Sequence, residues 1–119
     1  MTQQTSKLDS AIIEAGFFLS NHFGGDVYAK ETHIPAGAEL MQHKHKFEHL
    51  SILASGRVIV ECDGYRSEIS GPSCITIKAH AHHKVIALTD AVWFCVHSIH
   101  AVDQTDIDHV DGDLIEGGE

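Results

Sequence analysis

The sequence predicts an all-β fold in which about eight short antiparallel strands form the two sheets of a jelly roll. Short strand-like segments with polar breaks follow one another from residue 26 to residue 99. The dipeptide Asp63-Gly64 between two of them is a strong signal for a two-residue hairpin turn. A length of 119 residues suits one domain with one core.

Each predicted strand is bounded by turn residues. Gly24-Gly25-Asp26 precedes the first strand, in which Val27, Ala29 and Glu31 share one face, and Gly71-Pro72 separates two later strands. The predicted strands span 26–34, 39–45, 48–54, 57–63, 65–70, 74–78, 83–89 and 92–99.

The residues before the strands have a weak helical pattern. Leu8, Ile12, Ala15 and Leu19 keep helical spacing, while Gly16 lowers the helical propensity of this segment. The pattern indicates a short helix or an arm that packs on the strands. The predicted organisation is an N-terminal arm or short helix over 1–25, a β-barrel over 26–102 and an acidic C-terminal tail over 103–119.

Negative charge is concentrated at the C-terminus. The chain has a formal net charge of -9, and the tail contains no lysine or arginine. Its acids are Asp103, Asp106, Asp108, Asp111, Asp113, Glu116 and Glu119. An acidic chain without a basic stripe is a poor partner for nucleic acid or an anionic membrane, so we expect a small-molecule substrate or ligand.

The sequence also suggests a compartment. No apolar run approaches the roughly 18 residues that a membrane-spanning helix needs. The N-terminus MTQQTSKLDS lacks the apolar core of a secretory signal, so we expect a cytoplasmic protein. Cys62, Cys74 and Cys95 lie in strand-like segments without a C-x-x-C pattern, which predicts free, buried thiols.

Three histidines within residues 37–56 are the strongest sign of function. His43, His45 and His49 follow the pattern H-x-H-x3-H between Gly37 and Gly56. Side chains alternate along a strand, so His43 and His45 point to one side, and His49 can return to it after an even number of residues. Neutral imidazole is the commonest protein ligand for metals, so the pattern predicts a metal site.

This segment resembles the first cupin motif, G-x5-H-x-H-x3,4-E-x6-G, at every spacing from Gly37 to Gly56. The one departure is His49, which stands where most cupins have glutamate. The resemblance covers roughly residues 26–100. It implies a cupin-type double-stranded β-helix (a jelly-roll barrel), with a homodimer paired through an N-terminal arm as an analogy.

Residues 71–83, GPSCITIKAHAHH, resemble the second cupin motif, which ends in a further histidine. Lys78 and His80 stand where the family usually has proline and glycine. The motif histidine falls best at His83, because His82 would point to the opposite face of a strand, although His80 and His82 stay alternatives. The resemblance implies a four-histidine site like that of small single-domain cupins that bind manganese or iron: His43, His45, His49 and His83.

Four neutral imidazoles would leave a divalent ion with its full charge, so the site should be more Lewis-acidic than one with a glutamate. Four ligands leave two positions of an octahedral ion open for water, substrate oxygens or dioxygen. Manganese or iron is favoured by the resemblance, while nickel, copper and zinc are physically allowed.

Side chains on the same strands are expected to wall those open positions. The candidates are Ser51 and Leu53 beside His49, Val85 beside His83, and either Trp93 or Phe94. We find no general base that the pattern places inside.

The other histidines carry weaker expectations. His22, His33 and His109 are expected to be solvated. His97 and His100 lie at the end of the last predicted strand, away from the motifs, and are expected to support the sheet rather than the site.

The leading hypothesis is a metal-dependent, dioxygenase-like enzyme acting on a small molecule. The alternatives are a non-catalytic, metal-stabilised cupin that binds or senses a small ligand, and a metal-assisted isomerase or lyase, which would need an inward base.

Overall fold

The computed structural model describes residues 16–42, 48–78 and 81–98. Within these ranges the chain forms nine β-strands, and no helix there is long and apolar enough to cross a membrane. The strands are β1 (Phe18–Gly24), β2 (Val27–Ile34), β3 (Glu39–Gln42), β4 (His49–Ser55), β5 (Arg57–Cys62), β6 (Tyr65–Ser70), β7 (Ser73–Ile77), β8 (His83–Ala87) and β9 (Ala91–Ser98).

The strands form two antiparallel sheets. The five-stranded sheet has the order β1-β2-β9-β4-β7, and the four-stranded sheet has the order β3-β8-β5-β6. The chain therefore passes repeatedly from one sheet to the other, as it does in a jelly roll. The predicted all-β architecture of two antiparallel sheets is confirmed.

Two hairpins confirm predicted turns. Gly25 and Asp26 have φ values of 56° and 62°, and Asp63 and Gly64 have values of 48° and 88°. Positive φ at both central residues is the signature of a type I′ turn, which matches the twist of the strands that it joins. Glycine and aspartate tolerate this conformation better than most residues.

The segment before residue 25 departs from the helical pattern. β1 begins at Phe18, so the end of the segment predicted as a short helix or an arm is strand, while residues 1–15 lie outside the described residues. Every residue of β1 pairs with a residue of β2. That pairing satisfies the backbone of β1, and it outweighs a weak helical pattern that contains a glycine.

The inward side chains change from apolar to polar along three strands. They run Leu53, Ser51 and His49 on β4, Trp93, Cys95 and His97 on β9, and Ala87, Val85 and His83 on β8. In the β4–β9 pair, Leu53 lies opposite Trp93 and Ser51 opposite Cys95, so the change occurs at the same level on both strands. The apolar side chains form one core, and the histidines gather at one end of the barrel.

Gly56, the last glycine of the first motif, allows two backbone segments to meet. It has a φ of 93°, and a Cβ atom there would lie 2.3 Å from the Asp90 carbonyl oxygen and 2.8 Å from the Ala91 Cα. Its own carbonyl oxygen accepts a hydrogen bond of 2.8 Å from the Gly71 N–H. Only glycine fits this contact, so the motif glycine has a structural reason.

We predict that Gly56→Ala destabilises the protein more than Gly64→Ala. Both glycines have a positive φ, which costs an L-residue about 1–2 kcal/mol. At Gly64 an added Cβ meets nothing within 4 Å, whereas at Gly56 it meets backbone. The loss of unfolding free energy should therefore reach about 3–5 kcal/mol only for Gly56→Ala. Urea titrations measure both, and equal losses would contradict the prediction.

Candidate metal centre

Three buried histidines face one another inside the barrel. His49 begins β4, His83 begins β8 and His97 lies near the end of β9, with exposed fractions of 4%, 0% and 7%. One further step of the β4–β9 register sets His49 opposite His97, and their ring centroids are 4.6 Å apart. His83 comes from the other sheet, and its ring centroid is 6.0 Å from that of His49.

Two of the four predicted ligands lie close together, and the other two are outside the described residues. His49 and His83 face the interior, as strand alternation indicated. His43 and His45 lie outside the described residues. The segment that carries them leaves β3 at Gln42, whose backbone pairs with His83, and β4 begins again at His49. Both described ends of that segment therefore lie at the histidine cluster.

The structure distinguishes His83 from one of its two alternatives as the inward histidine of the second motif. His82 is exposed, and its backbone N–H donates a hydrogen bond of 3.2 Å to Asp63 Oδ1. His83 is fully buried and points inward, so the two neighbouring histidines do face opposite sides. His80, the other alternative, lies outside the described residues.

His97 is the site residue that sequence reasoning misplaced. We expected it to support the sheet away from the motifs, but His97 points inward from β9 and is the neighbour of His49. The signal was present in the sequence, since Trp93, Cys95 and His97 keep the period of two that places them on one face.

Tyr28 supports His97 from the neighbouring strand. The two residues are paired in the β2–β9 register, and their ring centroids are 6.0 Å apart. The Tyr28 ring also stacks on Phe23 at 4.9 Å, and its hydroxyl donates a hydrogen bond of 2.8 Å to Asn21 Oδ1. The sequence pattern placed no general base inside, whereas the structure buries Tyr28, which is 1% exposed and adjoins the cluster through His97.

The predicted walls of the site are largely in place. Ser51 and Leu53 lie on the inward face with His49, and Val85 lies on that of His83. Of the two aromatic candidates, Trp93 points inward and is fully buried, while its neighbour Phe94 points outward. Below the histidines the interior is therefore apolar, which favours a ligand site open toward the histidine end.

The cysteines are free, but they do not share one environment. Cys95 is buried, with its Sγ 4.0 Å from Ser51 Oγ. Cys62 is partly buried opposite His83; burial first and the charge of Asp63 second raise the pKa of its thiol, which opposes thiolate chemistry. Cys74 is exposed, so the prediction of a buried thiol is wrong there because β7 turns it outward.

The described histidines do not form a metal site alone. Among residues 16–42, 48–78 and 81–98, no group of three or more histidine, cysteine, aspartate or glutamate side chains is arranged to hold a metal ion. The buried donors are nevertheless of the right chemistry, because neutral imidazoles suit manganese, iron, nickel, copper and zinc. A site of four histidines would therefore need side chains that lie outside the described residues.

The fold is shared with solved structures of very different sequence. KdgF from Halomonas sp. superposes with a TM-score of 0.63 at 19% identity, over 72% of this chain and 81% of that chain. A cupin superfamily protein from Desulfitobacterium hafniense gives 0.63 at 9% identity, over 82% and 83%. The chain therefore has the cupin fold, an all-β class with two antiparallel sheets.

An enzyme also carries this fold within a longer chain. Salicylate 1,2-dioxygenase from Pseudoaminobacter salicylatoxidans matches with a TM-score of 0.62 at 15% identity, over 68% of this chain and 24% of that chain. No protein-family model and no curated protein matches the sequence.

A second histidine group lies on the outer face of the five-stranded sheet. Glu31 accepts hydrogen bonds from His22 Nε2 at 2.9 Å and from His33 Nε2 at 2.5 Å, one on each carboxylate oxygen. The hydrogen bond from His33, followed by that from His22, lowers the pKa of Glu31. The two histidines are about half exposed, as expected for solvated residues, but they are held by this carboxylate.

We predict that Glu31 stabilises the fold above its ordinary pKa of 4.5 and loses this effect in acid. Because the folded carboxyl has the lower pKa, the unfolded one takes up its proton first as the pH falls, which favours unfolding. The difference in unfolding free energy between wild type and Glu31→Gln should therefore shrink below pH 4.5. Denaturant titrations on both sides of that pH measure it, with Glu68→Gln as an exposed control. A constant difference would contradict the prediction.

Proposed function

We propose that this protein is a metal-dependent cupin whose ion is held by His43, His45, His49 and His83. The observation that carries the proposal is the burial of His49 and His83, from facing sheets, at one end of an otherwise apolar interior. Imidazoles that converge from facing sheets suit a metal ion, because neutral imidazole is the commonest protein ligand for metals.

The spacing of the two histidines supports a shared ion. With metal–nitrogen bonds of about 2.1 Å, two imidazoles on one ion have ring centres at most about 6.5 Å apart. The His49–His83 centroid distance of 6.0 Å lies within this limit. Gln42 and His49, which flank the segment with His43 and His45, both adjoin the cluster. The segment is short, so we propose that these two side chains reach the same ion.

The remaining side chains suit a small organic substrate rather than a polymer. Leu53, Val85 and Trp93 form an apolar floor, and Ser51 adds a hydroxyl on the side of His49. Such a floor excludes water below the site and favours a largely apolar molecule with a few oxygen atoms. A bound iron or manganese ion would supply Lewis acidity and a place for dioxygen beside that substrate.

Among reactions, we propose a dioxygenase-like oxidation. Four neutral imidazoles, from His43, His45, His49 and His83, would leave a divalent ion its full positive charge, and such an ion would supply the chemistry for a substrate to react with dioxygen. The fold likeness to salicylate 1,2-dioxygenase is compatible with such chemistry, and the 15% identity shows only the fold.

Metal-assisted isomerase or lyase chemistry is the second candidate, and one observation favours it. His97 lies beside His49, and Tyr28 lies beside His97. Neither belongs to the proposed ligand set, and both side chains can transfer protons. A non-catalytic ligand-binding cupin uses the same site without turnover, and ligand-dependent thermal stabilisation with no product would identify it.

We predict about one manganese or iron ion per chain in protein purified without a histidine tag. His49→Ala and His83→Ala should each reduce the bound metal at least about tenfold, because each removes a ligand. His82→Ala, which changes the exposed neighbour of His83, should keep the wild-type metal content. Elemental analysis of proteins with matching circular dichroism spectra measures the effect. A wild type that stays metal-free after reloading with both ions would contradict the proposal.

The variant His97→Ala tests whether His97 is itself a metal ligand or only lies beside one. The proposed set is complete without His97, so we expect this variant to retain its metal. Loss of metal from it would assign His97 to the ligand set.

We predict steady oxygen uptake by the metal-loaded protein with a member of a panel of diketones, thiols and phenols. His49→Ala should reduce the rate at least about 100-fold, because it removes a ligand that holds the reactive centre. An oxygen electrode with product analysis measures both. Conversion of substrate under strict anaerobiosis would instead support the isomerase or lyase candidate.

A further inference from the structure

One charged side chain lies on the inward face of the barrel. Lys30 is on β2 between Tyr28 and Thr32, which are 1% and 2% exposed, so strand alternation places all three on the inward side. Lys30 itself is half-buried. Among the lysines, arginines, aspartates and glutamates of the nine described strands, it is the one at an inward position.

The neighbours of Lys30 in the sheet are polar or buried. Lys30 pairs with Asn21 of β1 and with Cys95 of β9, and both of these residues are buried. The hydroxyl of Tyr28 donates its hydrogen bond to the same Asn21 side chain. His97 lies two residues beyond Cys95 on β9, and a diagonal neighbour of this kind is within reach of a long side chain. Lys30 therefore adjoins the histidine cluster through β9.

The two ends of the interior differ in what they offer to the ammonium group of Lys30. A lysine packs its four-carbon stem on apolar surface and keeps its charge near water or polar groups. Toward the apolar end, Ile34, Leu53 and Trp93 are at most 1% exposed and form the closed core. A charge there would be costly, so the ammonium group is more stable on the side of the histidines.

We propose that Lys30 binds a carboxylate of the substrate, so that the substrate is a small organic acid. This inference rests on the proposed function, because it assigns the acid to the same site. A divalent ion held by neutral histidines keeps its full charge, and Lys30 adds a further positive charge to the same interior. Two positive groups in a medium of low dielectric repel one another unless an anion lies between them. An organic acid supplies that anion, whereas a neutral substrate does not.

A single lysine suits a carboxylate better than a phosphate. A carboxylate has one negative charge, which one ammonium group balances, whereas phosphate groups are commonly held by arginines or by the N-termini of helices. Arg57 and Arg66 point outward with more than half of each side chain exposed, and the described residues form strands rather than helices.

The position of Lys30 also limits the size of the acid. Cys95, which pairs with Lys30, and His97 are two residues apart on β9, which is roughly 7 Å along a strand. A molecule of the size of one aromatic ring with its carboxylate therefore spans the distance from Lys30 to the histidine cluster.

The experiment compares acids with their own amides, because the two differ in charge and hardly in shape. Benzoate and benzamide, phenylacetate and phenylacetamide, and butyrate and butyramide are titrated by NMR into the full-length protein, whose metal content is measured. The acid preference is the Kd of the amide divided by the Kd of its acid. Lys84 provides the matched control, because it is half-buried like Lys30 but points outward from β8 and pairs with Glu39 and Glu61.

We expect an acid preference of at least about tenfold for the wild type, because the amide loses a hydrogen bond between two charged groups. Lys30→Met should reduce the preference to less than about twofold, whereas Lys30→Arg, which keeps the charge, should retain most of it. Lys84→Met should keep the wild-type value. His49→Ala, which removes a proposed metal ligand, should also keep the preference. Circular dichroism melts show that the variants fold, and Lys30→Gln replaces Lys30→Met should the latter fail to fold.

Two results would overturn the inference. One is a wild type that shows no acid preference, or that binds no acid of the panel at about 10 mM, a concentration at which weak complexes form. The other is a preference that survives in Lys30→Met; its loss in His49→Ala would then show that the metal ion, not Lys30, binds the acid. A metal-free wild type whose preference depends on Lys30 would contradict the proposed function but support the assignment of the acid to Lys30.

Discussion

The register between β4 and β9 is the constraint on which the site depends. It sets Leu53 opposite Trp93, Ser51 opposite Cys95 and, by one further step, His49 opposite His97. A shift of either strand by one residue would turn all the inward side chains of that strand outward. The only irregularity of the pair lies between Leu53 and Ser55, at the apolar end, so the histidine end keeps its regular pairing.

The same register gives the barrel its polarity. Aromatic and branched side chains fill one end and hold the sheets together, whereas imidazoles fill the other end. His83 enters from the second sheet at the level of His49, so the polar end draws on both sheets. The apolar end of the interior therefore serves stability, and the histidine end is available for binding. A substitution at Trp93 or Gly56 changes the stability of the fold without removing a histidine.

Sequence reasoning succeeded where local chemistry decides the structure. Asp63-Gly64 determines its turn by the conformations that these residues tolerate, and the period of two places Ser51 and Leu53 with His49. It failed where a distant strand decides. Residues 18–20 became strand because β2 lies beside them, and His97 joined the site because β4 lies opposite it. Neither partner can be read from the local pattern, since both contacts join residues far apart in the chain.

β9 joins the two ends of the interior. Its inward side chains include Trp93 in the apolar core and His97 in the histidine cluster, so one strand contributes to both. β9 is the middle strand of its sheet, and its backbone pairs with β2 on one side and with β4 on the other. A strand that is paired on both sides has fewer ways to open locally. The backbone that positions His97 is therefore held by the same two neighbours that carry Tyr28 and His49.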